Sequence, residues 1–357
     1  MVHMPQIKLS RSFLIILSQL VILFFLTVSL CRNRDMETVS EDSASQKKDY
    51  IHWVDFTVPA EILNKTFELD VSTCQDQIHL DWIQLLAWLG ARYGGDFSRF
   101  RQSDLDSLIE RLRTGESMET ITQDMKYYSY YHEAYSAVLG GMVGYFERET
   151  DESGTMEWVS RYGLKAYSPI AKNFPYSDYD DFGVSRSYGY KRRHLGHDMM
   201  GQVGTPLICV EDGYVEAIGW NQYGGWRIGI RSHDRKRYYY YAHLRKNYPY
   251  QSNLEVGTHV TAGDVIGYLG RTGYSTTENT NNIDTPHLHF GLQLIFDESQ
   301  KEGDNEIWID CYELVKFLQK NRSQVVKVEG TKEWTRVYGQ KSKEPETIES
   351  SDSAPSS

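Results

Sequence analysis

The sequence predicts an α+β chain with an N-terminal transmembrane helix, a helical middle region and an antiparallel β-rich domain closed by a C-terminal helix. Three observations predict it. An uncharged apolar run fills residues 12–31, apolar residues recur at helical spacing between about 51 and 150, and short alternating runs separated by glycine turns follow from about 155. Length agrees, since 357 residues suffice for roughly two domains.

Composition excludes several classes. Apolar residues at 40% and charged residues at 24% are globular proportions. The net charge of −11 argues against nucleic acid or another polyanion as a partner. Four scattered cysteines, Cys31, Cys74, Cys209 and Cys311, support neither a disulfide framework nor a thiolate zinc cluster.

Residues 1–11 read as a short cytoplasmic tail. Ser12–Cys31 then supplies 20 residues without a charge, enough to cross a bilayer core of roughly 30 Å as a helix. The run is longer than the apolar stretch of a cleaved signal peptide and lacks an Ala-x-Ala-like exit, so it reads as an uncleaved, single-pass anchor. Basic residues number two on each side, Lys8 and Arg11 against Arg32 and Arg34, and therefore leave the orientation open. Residues 32–50 are polar and read as a linker.

Residues 51–150 are expected to be a mostly helical domain. Ile78, Trp82, Leu85, Leu86 and Leu89 share a helical face that Gly94–Gly95 ends, and Ser103 precedes a second helix that Gly115 closes. The cluster Tyr127, Tyr128, Tyr130, Tyr131 and Tyr135 reads as helix packing with hydroxyls at the rim, rather than as a ligand-stacking surface. No chemistry is legible in this region, and its partners are unknown.

Residues 155–300 form the β-rich domain, with period-two alternation clearest in GWRIGIRS and KRYYYYAHL. A C-terminal extension over 301–325 carries an amphipathic helix expected at Trp308–Lys320. Residues 340–357, with four acids and six serines among 18 residues, are expected to be disordered.

The histidines of the β-rich domain carry the chemistry. His194 and Asp198 lie four apart with Gly196 between them, His243 ends a strand, and His287 and His289 are two apart. On a strand, positions two apart point to the same face, so His287 and His289 address one site. Histidines joined by a carboxylate have the donor chemistry of catalytic zinc, which takes three N/O ligands and keeps a fourth position open.

Around these residues, from Tyr167 to Phe296, the chain resembles the lysostaphin/LytM-type zinc metalloendopeptidases, which cut peptide bonds in bacterial peptidoglycan. The shared features are DFG (Asp181–Gly183), HLGHD, GTPLICVEDGYV, GWNQYGGW, YYAHL, VGTHVTAGDVIGYLGRTGYST and PHLHFGL. The resemblance implies one Zn2+ per catalytic domain, held by His194, Asp198 and His289, and a zinc-activated water served by the catalytic histidines His243 and His287. It makes His197 a bystander, and His233 and His259 turn or surface residues. It also implies peptidoglycan peptides as partners, and so a bacterial cell membrane protein whose catalytic domain lies on the extracellular side. Residues 277–284 lengthen a loop that is often short in the family, beside the expected site. Two other readings are a non-catalytic scaffold or activator of other hydrolases, and a carrier domain. The five site residues weigh against the first. The second would need a modifiable lysine in VGTHVTAGDVIGYLG, which has none.

Overall fold

The computed structural model describes residues 50–151, 154–187, 191–303 and 305–342. The apolar run of residues 12–31, with the short tail and most of the linker, lies outside them. Among the described residues no helix is long and apolar enough to cross a membrane.

Among the described residues five α-helices precede the sheet: Ala60–Thr73, Trp82–Tyr93, Gln102–Arg113, Met118–Thr122 and Tyr128–Leu139. The second starts where the Asp81 carboxylate accepts from the Gln84 N–H at 2.8 Å, and it stops at Gly94, whose φ of 66° suits glycine. Its Trp82, Leu85, Leu86 and Leu89 are buried, as the spacing predicts, whereas Ile78 precedes the helix. The next helix begins at Gln102, so Ser103 lies inside it rather than before it. Gly90 lets the Tyr128–Leu139 helix approach closely, because a Cβ there would stand 2.9 Å from Cδ1 of Tyr131.

The main sheet is antiparallel throughout. Its order is His259–Val260, Gly213–Asn221, Gly225–Ser232, Arg237–Ala242, His287–Leu294, His197–Gly201 and Tyr176–Asp178, with Ile307–Ile309 also pairing on His287–Leu294. Alternation sorts its faces. Met199, Tyr239, Tyr241, Leu288, Phe290 and Leu292 are buried, and they join Trp82, Leu85 and Leu139 of the helices in a single core. The opposite face carries Asp198, Ala242, His287 and His289.

Three boundaries differ from the expectation. The helical stretch ends at Leu139, and Val143–Thr150 is a strand paired with Glu157–Leu164. The C-terminal helix spans Tyr312–Leu318 rather than Trp308–Lys320, because Ile307–Ile309 alternates burial and pairs with Leu292–Leu294. Gln340–Ser342 pairs with Phe146–Arg148, so the tail expected from 340 is ordered strand to 342, and its remainder lies outside the described residues.

The helical segment and the β-rich segment are bound together, and the described residues from Ile51 onward form one compact unit. Phe317 of the C-terminal helix packs edge-on against Phe67, with ring centroids 5.6 Å apart, and at 5.7 Å from Trp82. Glu313 accepts from the Ala60 N–H at 2.7 Å, capping the first helix. Deeper, Arg237 donates to both Glu211 oxygens at 2.7 and 2.9 Å and to the Ala137 carbonyl at 2.8 Å, tying sheet to helix.

Candidate metal centre

Strand register builds the site. Asp198 lies directly opposite His289 on neighbouring strands, so both side chains project from the same face about 5 Å apart at Cβ. Ala242 faces His289 from the other side, and the chain leaves the sheet at His243 with φ 62°. His194 lies just before the His197–Gly201 strand and four residues from Asp198.

Three donor atoms converge here. His194 Nε2 is 3.1 Å from Asp198 Oδ1 and 2.9 Å from His289 Nδ1, and His289 Nδ1 is 3.0 Å from Asp198 Oδ1. Among the described residues these three form a group able to hold a metal ion. Ligands about 2.0–2.1 Å from a tetrahedral zinc stand roughly 3.3 Å apart, close to the spacing seen.

Proton placement fits a cation as well. His194 Nδ1 faces only acceptors, the Asp181 carbonyl at 3.3 Å and its carboxylate at 3.1 Å, so it carries the proton and leaves a lone pair on Nε2. That lone pair points at an anionic oxygen, an arrangement a cation between them resolves. Burial alone would raise the Asp198 carboxyl, but the His194 and His289 imidazoles hold it well below the usual carboxylate range.

Gly196 makes the convergence sterically possible. A Cβ at this position would stand 2.5 Å from His289 Cε1 and 2.9 Å from the Phe290 carbonyl oxygen. The glycine of the His-x-Gly-x-Asp pattern is thus required by close approach.

The other two histidines stand beside the cluster. The His243 and His287 rings are 4.8 Å apart, and His243 is 5.9 Å from His289. His243 Nδ1 donates to the Thr272 carbonyl at 2.9 Å and His287 Nδ1 to the Thr285 carbonyl at 2.8 Å, which leaves each Nε2 as an acceptor. His287 Nε2 lies 3.7 Å from Asp198 Oδ2. Burial, then the neighbouring His287 and His289, push the His243 imidazole well below its ordinary pKa, so it stays neutral.

His197 projects from the opposite face, where it pairs with Asp178 at 2.9 Å and packs edge-on to Tyr312. His233 and His259 are exposed and stack on each other away from the site, with centroids 5.6 Å apart. The loop of residues 277–284 is anchored by Asn279, which accepts from Trp226 Nε1 and the Asn247 N–H, both at 2.9 Å.

Two residues at the site were not assigned roles from sequence. Asp181, visible only as part of DFG, orients His194. Arg186 donates to Asp198 Oδ2 at 2.7 Å and pairs with Asp181, so it holds the oxygen that the donor cluster leaves over. Arg192, on the strand paired with that of Arg186, donates to the Tyr274 hydroxyl, and the Tyr274 ring lies 5.8 Å from His243.

Comparison with known proteins places the segment that carries this geometry in a family match. Residues 192–302 match the model of peptidase family M23. The chain is 32% identical over 161 residues to the L-Ala--D-Glu endopeptidase of Bacillus subtilis, covering 43% of this chain and 47% of that one. It is 34% identical over 147 residues to the glycyl-glycine endopeptidase ALE-1 of Staphylococcus capitis, covering 41% and 33%. Among solved structures, the catalytic domain of the antimicrobial peptidase lysostaphin from Staphylococcus simulans shares 31% identity, covering 40% of this chain and 92% of that one, at a TM-score of 0.30. The chain spans less than half the length of these curated relatives. Residues 192–302 are a peptidase family M23 domain, with lysostaphin/LytM-type proteins among its relatives.

Proposed function

We propose that this chain is a membrane-anchored zinc metalloendopeptidase that hydrolyses peptide bonds in bacterial peptidoglycan. The observation that carries the reading is the convergence of His194 Nε2, Asp198 Oδ1 and His289 Nδ1 within 3.1 Å of one another, with His243 and His287 alongside. The names of the endopeptidase relatives support the substrate class.

His194, Asp198 and His289 would hold the zinc, with Asp181 and Arg186 fixing the first two. When bound, zinc supplies Lewis-acid polarisation of a carbonyl and lowers the pKa of water toward about 7. His243, neutral with a free Nε2, accepts a proton during attack. His287, its ring fixed through Thr285, presents the second Nε2 beside it and shares in proton transfer to the departing amine. Residues 12–31 would anchor the chain in the cell membrane with the rest on the outer face, where the polymer lies. A scaffold that has lost catalysis would dispense with these groups, yet all five are present and assembled.

Zinc content and turbidity clearance of peptidoglycan, measured together, test the roles. His289→Ala should lose the metal. His243→Ala and His287→Ala should keep it while losing on the order of 10²-fold in cleavage. His197→Ala should retain both at temperatures where it stays folded. Wild-type cleavage by His243→Ala, or zinc loss in His197→Ala, would overturn the assignment.

A further inference from the structure

A second site lies on the helical segment, away from the metal centre. From Trp53 to Val58 burial alternates: Val54, Phe56 and Val58 are buried, while Trp53, Asp55 and Thr57 face outward. The buried three anchor the segment in the core, and period-two alternation then sets the outward three in a row roughly 7 Å apart. Trp53 is 65% exposed, an unusual cost for an indole in water.

The row lies between two clefts. On one side, a cleft of about 530 Å³ is lined by Tyr130 and Tyr131, the Gly94–Gly95 turn and Asp96. On the other, a cleft of about 400 Å³ reaches Phe182, Arg193, Leu195 and Trp308. Trp53, Asp55 and Thr57 line both, so the two clefts adjoin along this row. The second ends against residues 193 and 195, which flank the candidate ligand His194. Each volume falls within the range of small-ligand sites, roughly 300–1,000 Å³.

The first cleft is preformed. The Thr57 hydroxyl donates to the Gly95 carbonyl at 2.8 Å, and the Tyr130 hydroxyl donates to the Trp53 carbonyl at 3.0 Å, so its opposite walls are tied. Positive φ at both Gly94 and Gly95 turns the chain to make the floor, and a Cβ on Gly95 would stand 2.9 Å from the Tyr131 hydroxyl. Its lining contains Asp55 and Asp96 but no lysine, arginine or histidine.

Resting on the peptidase reading above, we propose that this pair of clefts binds the amino-sugar strand of peptidoglycan and leads its peptide branches to the metal centre. In the first cleft, carboxylates without cations repel a polyanion and accept hydrogen bonds from hydroxyl and acetamido N–H donors, and in the second Arg193 adds a donor for sugar and acetamido oxygens beside Glu306 and Asp310. The exposed Trp53 indole and the half-buried phenols of Tyr130 and Tyr131 attract the polarised C–H groups of a pyranose ring, as the negative face of an aromatic quadrupole requires. A neutral, donor-rich polymer with apolar ring faces satisfies both features. Because the second cleft is lined by Arg193 and Leu195, the neighbours of His194, a strand lying along both would run toward the metal centre, which gives the helical segment a role in substrate positioning.

The test titrates the full chain with the tetrasaccharide of N-acetylglucosamine, following heat of binding and saturation-transfer NMR, and separately with a stem peptide. The tetrasaccharide should bind, and Trp53→Ala and Tyr130→Ala should each weaken it by roughly 3- to 10-fold, the worth of one aromatic contact. Asp55→Asn should also weaken it. Trp53 is mostly exposed, so its truncation leaves the fold intact, which circular dichroism checks. No saccharide binding, affinity unchanged in Trp53→Ala, or Trp53-dependent binding of the stem peptide alone would each overturn the inference. Cleavage of peptidoglycan by a chain that ignores the saccharide would leave the peptidase reading standing without this site. Trp53-dependent saccharide binding by a chain that cannot cleave would do the reverse.

Discussion

The two oxygens of Asp198 face different neighbours: Oδ1 meets His194 and His289, and Oδ2 meets Arg186 and His287. That division keeps the carboxylate ionised and fixed in a buried place. The cluster was legible in the sequence because local periodicity pairs His287 with His289 by pleat and a short connection sets His194 near Asp198, whereas the choice of His194, Asp198 and His289 as ligands rests on the family resemblance. Arg186 was not legible, since its approach depends on how Ser185–Ser187 pairs with Lys191–Arg193, and a lone arginine carries no sign of that. Gly196 gives the sharpest test at this scale. A methyl group there meets backbone at Phe290 as well as the His289 ring, and backbone cannot yield. Gly196→Ala should therefore lower zinc affinity by about 10- to 100-fold, the effect typical of disturbing a ligand's orientation, while far-UV circular dichroism stays native. A competition titration with a zinc chelator measures it, and unchanged affinity would show that the His289 ring has room to move.

Register is the decisive property of the strands, because a one-residue slip would send His289 to the core and Phe290 to the site. The alternation of GWRIGIRS and KRYYYYAHL made those strands readable. Trp308 and Ile309, expected to start the C-terminal helix, belong to the strand Ile307–Ile309, because a three-residue strand is too short to show its period before the amphipathic pattern of Tyr312–Leu318 begins. The first helix, Ala60–Thr73, was not singled out, since its Pro59 cap makes no side-chain hydrogen bond that a motif could announce. The tyrosine cluster is divided in the structure: Tyr135 is fully buried, whereas Tyr130 and Tyr131 stand at a cleft. Between elements Arg237, 1% exposed, ties Glu211, Asp234 and the Ala137 carbonyl together. Arg237→Ala leaves the Glu211 carboxylate buried without its cation. It should destabilise the protein by about 3–5 kcal/mol in urea unfolding, and a loss below about 1 kcal/mol would contradict this role.

For the whole molecule, the sequence suggested a helical part and a β-rich part but not how they join. Long-range packing of Phe67 and Trp82 on Phe317 leaves no local pattern, so the shared core had to be seen. The candidate metal centre faces away from that core, which leaves the core to stabilise the fold. If residues 12–31 anchor the chain with the site outside, protease added to intact protoplasts should degrade the β-rich part and spare the N-terminal tail. Full protection of the β-rich part would place it on the wrong side of the membrane for this substrate. The central claim, a metal-dependent peptide hydrolase of the cell wall, is tested most directly by mass spectrometry of purified peptidoglycan incubated with the full chain, before and after zinc removal by a chelator. The account predicts fragments with newly freed amino groups at one type of peptide bond, lost on chelation and restored by zinc. Peptidoglycan left intact by the zinc-loaded protein, or the same fragments released after chelation, would contradict it.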